Sequence, residues 1–162
     1  MRAGKVSWLA LFIALSVAGG MIKVPAPVSS VALDSFPALI GAVLLGPAAG
    51  ALIGAFGHIV SALFGGFPMG PLHGIVAAEM AAVMWVFGRM YRSGWKWLAL
   101  PVFVFLNGIV LPAPFIPFMG MAFYVSSVPA IGVAALINGA AAYILLPRLV
   151  PLFKKRYGRF YA

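Results

Sequence analysis

Long apolar stretches follow one another along this chain, separated by short clusters of Pro, Gly and basic residues. The first runs over residues 6–24 and stops at Pro25 and Pro27, neither of which can donate the helical hydrogen bond. Residues 28–33 read as a short loop carrying Ser29 and Ser30. A second helix starts near Asp34, a good N-cap residue next to Phe36, with Pro37 in the first turn. It ends at Leu45, and Gly46 with Pro47 forms a tight turn. The third helix covers residues 48–64. Gly50, Gly54 and Gly57 recur there near helical spacing, and missing side chains let helix backbones approach closely in a bilayer. Residues 65–70 form a loop, and a fourth helix covers 72–90. The fifth starts near Trp97 and becomes irregular at Pro112, Pro114 and Pro117. Backbone that irregular at membrane depth must face protein or a water-filled cavity. A sixth helix covers 130–150, and a basic tail follows. No internal repeat and no low-complexity segment interrupts this order.

Composition turns these stretches into membrane spans. Apolar residues make up 64% of the chain and charged residues 8%, against roughly half and a quarter in an ordinary globular domain. Asp34 and Glu79 are the only acids, facing eleven Lys and Arg. So few charges cannot cover a soluble surface, so the solvent is lipid. At about 20 residues per span, 162 residues allow about six helices in one integral-membrane domain, 1–162, with no soluble domain. The net charge of +9 would suggest nucleic acid in a soluble protein. Here the charges collect in three places: Arg2 and Lys5; Arg89, Arg92 and Lys96; Arg148, Lys154, Lys155, Arg156 and Arg159. With six helices all three lie on one side, and the opposite loops hold only Lys23. The positive-inside rule then puts both termini in the cytoplasm. The expectation is an all-α membrane protein of six transmembrane helices. The first stretch has the basic flank of a signal peptide, but it runs too long and lacks a convincing cleavage site, so it reads as a retained helix. There is no cysteine, hence no disulfide and no thiolate metal site.

Polar side chains inside a membrane protein are expensive and invite a functional reading. Under this topology Asp34, His73, Asn107 and the proline segment 112–117 belong to the outer half. His58 and Glu79 lie one to two turns deeper, and Asn138 about two turns into the sixth helix. These groups would converge on one outward-facing pocket, with Phe64, Phe67, Trp85, Phe115 and Tyr124 as flat apolar walls. Each has a plainer alternative. Asp34 caps a helix, His58 bonds a neighbouring helix, His73 sits at the interface, and the aromatics pack or face lipid. A carboxylate in mid-helix needs a partner or a proton, so Glu79 either meets a ligand or pairs with His58 or Asn107. Ala10, Ala14 and Ala18 repeat every four residues, one smooth stripe suited to close helix contact, within the protein or with a partner. Asp34, His58, His73 and Glu79 could also ligate a metal in an intramembrane hydrolase, but no compact metal signature supports that, and no metal is expected. An assembly subunit without a ligand is the third reading.

The chain resembles the substrate-binding S component of an energy-coupling-factor (ECF) vitamin transporter. The likeness lies in the alanine stripe within residues 8–18, in Ala-Leu-Asp-Ser-Phe-Pro-Ala at 32–38, and in Leu-Gly-Pro-Ala-Ala-Gly-Ala-Leu-Ile-Gly-Ala at 45–55. It covers nearly the whole chain, and its motifs are soft individually. It implies high-affinity binding of a vitamin near the outer surface and docking by the helix 1 alanine face onto a transmembrane coupling protein that carries two cytoplasmic ATPases. It implies a multi-pass protein of a prokaryotic cell membrane, with no enzyme activity and no cofactor of its own, ATP being used by the partners. Toppling in the bilayer is the transport step it implies. Nickel and cobalt members carry a histidine after the initiating methionine; here that position is Arg2. Residues 30–37, 57–62, 66–73 and 78–80 look most similar to the α-ribazole branch, whose ligand is a cobalamin precursor, a dimethylbenzimidazole joined to ribose. The substrate site expected from the residues is drawn from Asp34, His58, Phe67, His73, Glu79, Trp85, Asn107, Tyr124 and Asn138, and the resemblance leaves thiamin-like, pyrimidine-like or other vitamins as alternative ligands.

Overall fold

In a computed structural model that describes residues 3–25 and 30–161, six α-helices and one short ribbon follow in chain order. Arg2, Pro27 and Ser29, used in the sequence reading, lie outside the described residues. Helix α1 spans Ala3–Met21, α2 Ser35–Leu44, α3 Pro47–Phe64, α4 His73–Arg92, α5 Lys96–Phe105 and α6 Ile116–Tyr161. Strands β1 (Lys23–Pro25) and β2 (Ser30–Ala32) pair antiparallel between α1 and α2, with Val24 opposite Val31. The expected loop at 28–33 is therefore partly an ordered ribbon, and the first helix ends three residues sooner than expected. The fold is otherwise helical.

Helices α2 to α4 match the sequence expectation within about two residues. The second half does not. After α5 the chain makes a π-helical turn, Leu106–Val110, and a 3₁₀ turn, Ala113–Phe115, so the irregular proline segment is real. The last helix begins fourteen residues before the expected position 130, continuing through Pro129, Pro147 and Pro151. Proline is tolerated inside membrane helices because neighbouring groups re-satisfy the freed carbonyls. Non-helical backbone at Gly120 (φ 81°, ψ 166°) and Tyr157 breaks this element. The run between the breaks, 121–156, would reach roughly 54 Å at 1.5 Å per residue, well beyond a hydrocarbon core of about 30 Å.

Among the described residues, four stretches are long and apolar enough to cross a membrane: Gly4–Met21, Pro47–Phe64, Gly70–Arg92 and Lys96–Gly158, the last holding α5 and most of α6. Helix α2 has only ten residues, about 15 Å. Apart from Phe36 it is buried from Ser35 to Leu44, at the centre of the bundle. Helix α3 is its neighbour and the hub of the packing. A Cβ on Gly50 would strike Ala42 of α2. One on Gly54 would meet Met84 and the Met80 carbonyl of α4, and one on Gly57 would strike Ser16 of α1. Three glycines thus admit three different helices, where the spacing alone had suggested only close approach.

The elements have two distinguishable ends. At one, Lys5, the α2–α3 turn and Arg89 to Ser93 surround a common cavity, and Trp8 meets Phe153 and Tyr157 edge-on at 5.5 and 5.4 Å. The start of α1 and the end of α6 are therefore together at this basic end. At the other end, Leu33 N–H donates to Gly19 O (3.1 Å) and His58 meets His73. Tyr124 Oη donates there to Ile109 O at 3.2 Å.

Candidate functional site

Most of the candidate residues belong to the end away from the basic cavity. Asp34 stands at the N-cap position of α2, yet its carboxylate makes no cap bond. It accepts instead from Ser35 Oγ at 3.1 Å, while its own backbone carbonyl accepts from the buried Ser16 Oγ of α1 at 2.6 Å. Burial raises the Asp34 carboxyl above the usual carboxylate range, against a smaller lowering by Ser35. The capping expected of Asp34 is done from across the molecule. Asn138 of α6 accepts from Phe36 N–H through Oδ1 at 2.8 Å, 102 residues away in sequence. Its Nδ2 donates to Ala32 O and to Ala134 O, both at 2.9 Å. At 1% exposure, this amide ties α6 to β2 and to the first turn of α2.

A second group sits where α3 passes into α4. His58 Nε2 and His73 Nδ1 are 3.1 Å apart, so one ring donates and the other accepts. Met69 N–H donates to His73 Nε2 at 3.4 Å. The Phe67 ring lies 4.8 Å from that of His73, tilted by 33°, and Phe67 is the non-glycine residue with positive φ, 52°, among those described. His58 therefore bonds a neighbouring helix, but its partner is His73 and not Glu79. Glu79 lies six residues further along α4 than His73, about 9 Å deeper. Its Oε2 is buried and has no hydrogen-bond partner among the described residues.

The third group surrounds the π-helical turn. Asn107 is buried within it at 6% exposure. Phe115 is buried, and Tyr124 closes the turn onto α6. π-turns carry one extra residue per turn and are frequent at functional sites. Trp85 and Phe64 are 47% and 70% exposed. Ala10, Ala14 and Ala18 all lie on the uncovered side of α1, while Phe12 and Ser16 face the bundle. The described residues contain no group of three or more His, Asp or Glu able to hold a metal. Two cavities, of about 450 and 300 Å³, both lie at the basic end and touch none of the candidate residues. Sequence reasoning missed Ser16 and Ser35. A serine in an apolar helix is a common small residue, and only its buried bond marks it.

A polytopic helical bundle with buried acid, imidazole and amide groups gathered away from its basic end defines a membrane-embedded binding protein. The chain belongs to the family of ECF transporter substrate-specific components, whose model matches residues 5–153. Comparison with curated proteins gives no match. Among solved structures, one described as the S component of a bacterial ECF transporter superposes with a TM-score of 0.70 at 19% identity, covering 96% of this chain and 99% of that one. At that identity the likeness concerns the fold. As a member of this family the chain is a substrate-binding transporter subunit and not an enzyme. Such components work with a membrane coupling protein and ATPases.

Proposed function

We propose that this chain captures a vitamin precursor, α-ribazole, for import across a prokaryotic cell membrane. In this reading both termini are cytoplasmic, and α2, short as it is, counts as the sixth crossing. The ligand site lies at the outer end, among Asp34, the His58–His73 pair with Phe67, Glu79, and the π-turn with Asn107, Phe115 and Tyr124. Asn138 acts through position, holding β2 and α2 in place. Ala10, Ala14 and Ala18 form the face offered to the coupling protein. ATP is used by the partner ATPases, and the chain needs no cofactor of its own.

The observation that carries the ligand reading is the buried, unpartnered Oε2 of Glu79. A carboxylate oxygen kept from water calls for a donor, and a ribose diol supplies two. Asp34, released from capping, is a second acceptor, and Phe67 offers a flat ring to a heterocycle. The branch assignment rests on the sequence likeness at 30–37, 57–62, 66–73 and 78–80.

The test is calorimetric titration of detergent-purified protein with α-ribazole, thiamin and a hydroxymethyl-pyrimidine. Tight binding of α-ribazole is expected. Glu79→Gln exchanges one acceptor oxygen for a donor. A hydrogen bond to a charged group is worth about 1.5–3 kcal/mol, so affinity should fall roughly ten- to a hundredfold. Tight binding of another vitamin without α-ribazole would overturn the ligand and leave the family standing. Unchanged affinity in Glu79→Gln would remove Glu79 from the site.

A further inference from the structure

The larger cavity lies far from the candidate ligand site and has a chemistry of its own. Lys5 of α1, the α2–α3 turn from Leu45 to Ala49, and Arg89, Arg92 and Ser93 at the end of α4 enclose about 450 Å³. Three cations therefore converge on one hollow. Neither acid of the chain reaches it: Asp34 is at the other end, and Glu79 is ten residues from Arg89 along α4, roughly 15 Å. Lys5 and Arg89, like charges beside a hollow that neither Asp34 nor Glu79 reaches, favour an incoming anion.

The backbone adds to the same field. Helix α3 starts on Pro47 with Gly46 as its cap, and no side chain caps it. Gly50 N–H bonds to Gly46 O, leaving the first-turn amides of Ala48 and Ala49 without intrahelical acceptors. Both residues line the cavity. The partial positive charge of the helix start points the same way. Arg92 Nη1 donates to Val43 O at 3.3 Å, which fixes its guanidinium beside the hollow, and Ser93 adds a hydroxyl. Just past this end, Trp95 and Trp97 are 60% and 72% exposed. Exposed tryptophans of a membrane helix mark the headgroup level, where lipid phosphates sit.

We propose that this hollow is a binding site for the phosphate of an anionic phospholipid of the phosphatidylglycerol class. The headgroup seats between Lys5, Arg89 and Arg92, with the free amides of α3 behind it. Basic pockets between transmembrane helices are suited to such headgroups. The assignment to the cytoplasmic leaflet rests on the orientation proposed above; the phosphate site does not.

The experiment is native mass spectrometry and thermal unfolding of delipidated protein titrated with phosphatidylglycerol, phosphatidylcholine or inorganic phosphate. Selective retention of phosphatidylglycerol is expected. Lys5→Gln and Arg89→Gln should each weaken it about fivefold, and the pair together by more. Lys155→Gln removes the same charge outside the cavity and should leave retention unchanged. Arg92 is kept because it also holds Val43. Equal losses in Lys155→Gln and Lys5→Gln would overturn the site in favour of diffuse attraction. Inorganic phosphate stabilising as strongly as the lipid would overturn the lipid in favour of a soluble anion. Absence of both effects, with Arg89→Glu rescued by a basic substitution in the coupling protein, would overturn it in favour of an acidic partner segment. Labelling of Ser93→Cys from outside intact cells would overturn the leaflet while the lipid selectivity stood.

Discussion

Replacing Asn138 with Ala isolates the contribution of one buried amide. The substitution removes the acceptor of Phe36 N–H and the donor to Ala32 O. The bond to Ala134 O matters less, since that carbonyl keeps its helical partner. A lost N-cap acceptor costs about 0.5–2 kcal/mol. A buried carbonyl left without a donor costs about 1–3 kcal/mol. The amide sits at 1% exposure, so water does not replace it cheaply, and a loss of about 3 kcal/mol is expected. For a chain of this size that corresponds to roughly 6–12 °C in melting temperature. The assay is thermal unfolding of the purified protein in a fixed detergent, with Asn138→Asp as the companion. Asp keeps the acceptor toward Phe36 and turns a second oxygen toward Ala32 O, so it should recover only part of the loss. A melting temperature within about 2 °C of the parent for Asn138→Ala would refute the reasoning and place the capping of α2 elsewhere.

Three other outcomes are expected. Ala14→Leu adds bulk to the uncovered face of α1; transport by the assembled complex should fall while ligand affinity of the isolated subunit stays within about 1 kcal/mol, and equal losses of both would assign the stripe to internal packing. Gly57→Val drives a branched side chain into Ser16 of α1 and should destabilise by about 1–3 kcal/mol, as overpacking does, whereas Gly74→Ala, which meets nothing within 4 Å, should be near neutral in a melting assay. Cysteine at Met69 should react with an impermeant reagent applied to intact cells, and cysteine at Ser93 should not; the reverse pattern would invert the orientation.

The parts of the fold that were legible in sequence are those governed by local rules. Gly46 and Pro47 end one helix and start the next by backbone geometry alone, and α2 and α3 stand where the reading put them. Gly50, Gly54 and Gly57 announced close packing, although nothing local could say that each admits a different helix. The second half was less legible because proline carries two meanings. In water it ends a helix, but inside a membrane bundle Pro129, Pro147 and Pro151 are carried within one. The same limit applies at the site. Asp34 has the right chemistry and spacing for an N-cap, but a residue 102 positions away performs that role, and no local motif encodes such a partner. The His58–His73 bond likewise depends on how the α3–α4 loop folds back. The half-exposure of Trp85 was not legible either, because the exposed and buried faces of α4 are set by its neighbours.

The length of α6 has a mechanical consequence. A rod longer than the bilayer is thick cannot have both of its ends at the headgroup level while standing upright. Its surplus must project into solvent or be accommodated by leaning. Asn138 fastens β2 and the head of α2 to the middle of this rod, and Phe153 and Tyr157 fasten the start of α1 to its basic end. Any lean of α6 therefore carries the binding end and the alanine-striped helix with it as one body. A tilt of α6 measured by spin-label distances to the membrane plane would report the attitude of the whole subunit, and a label on α6 alone would suffice to follow it.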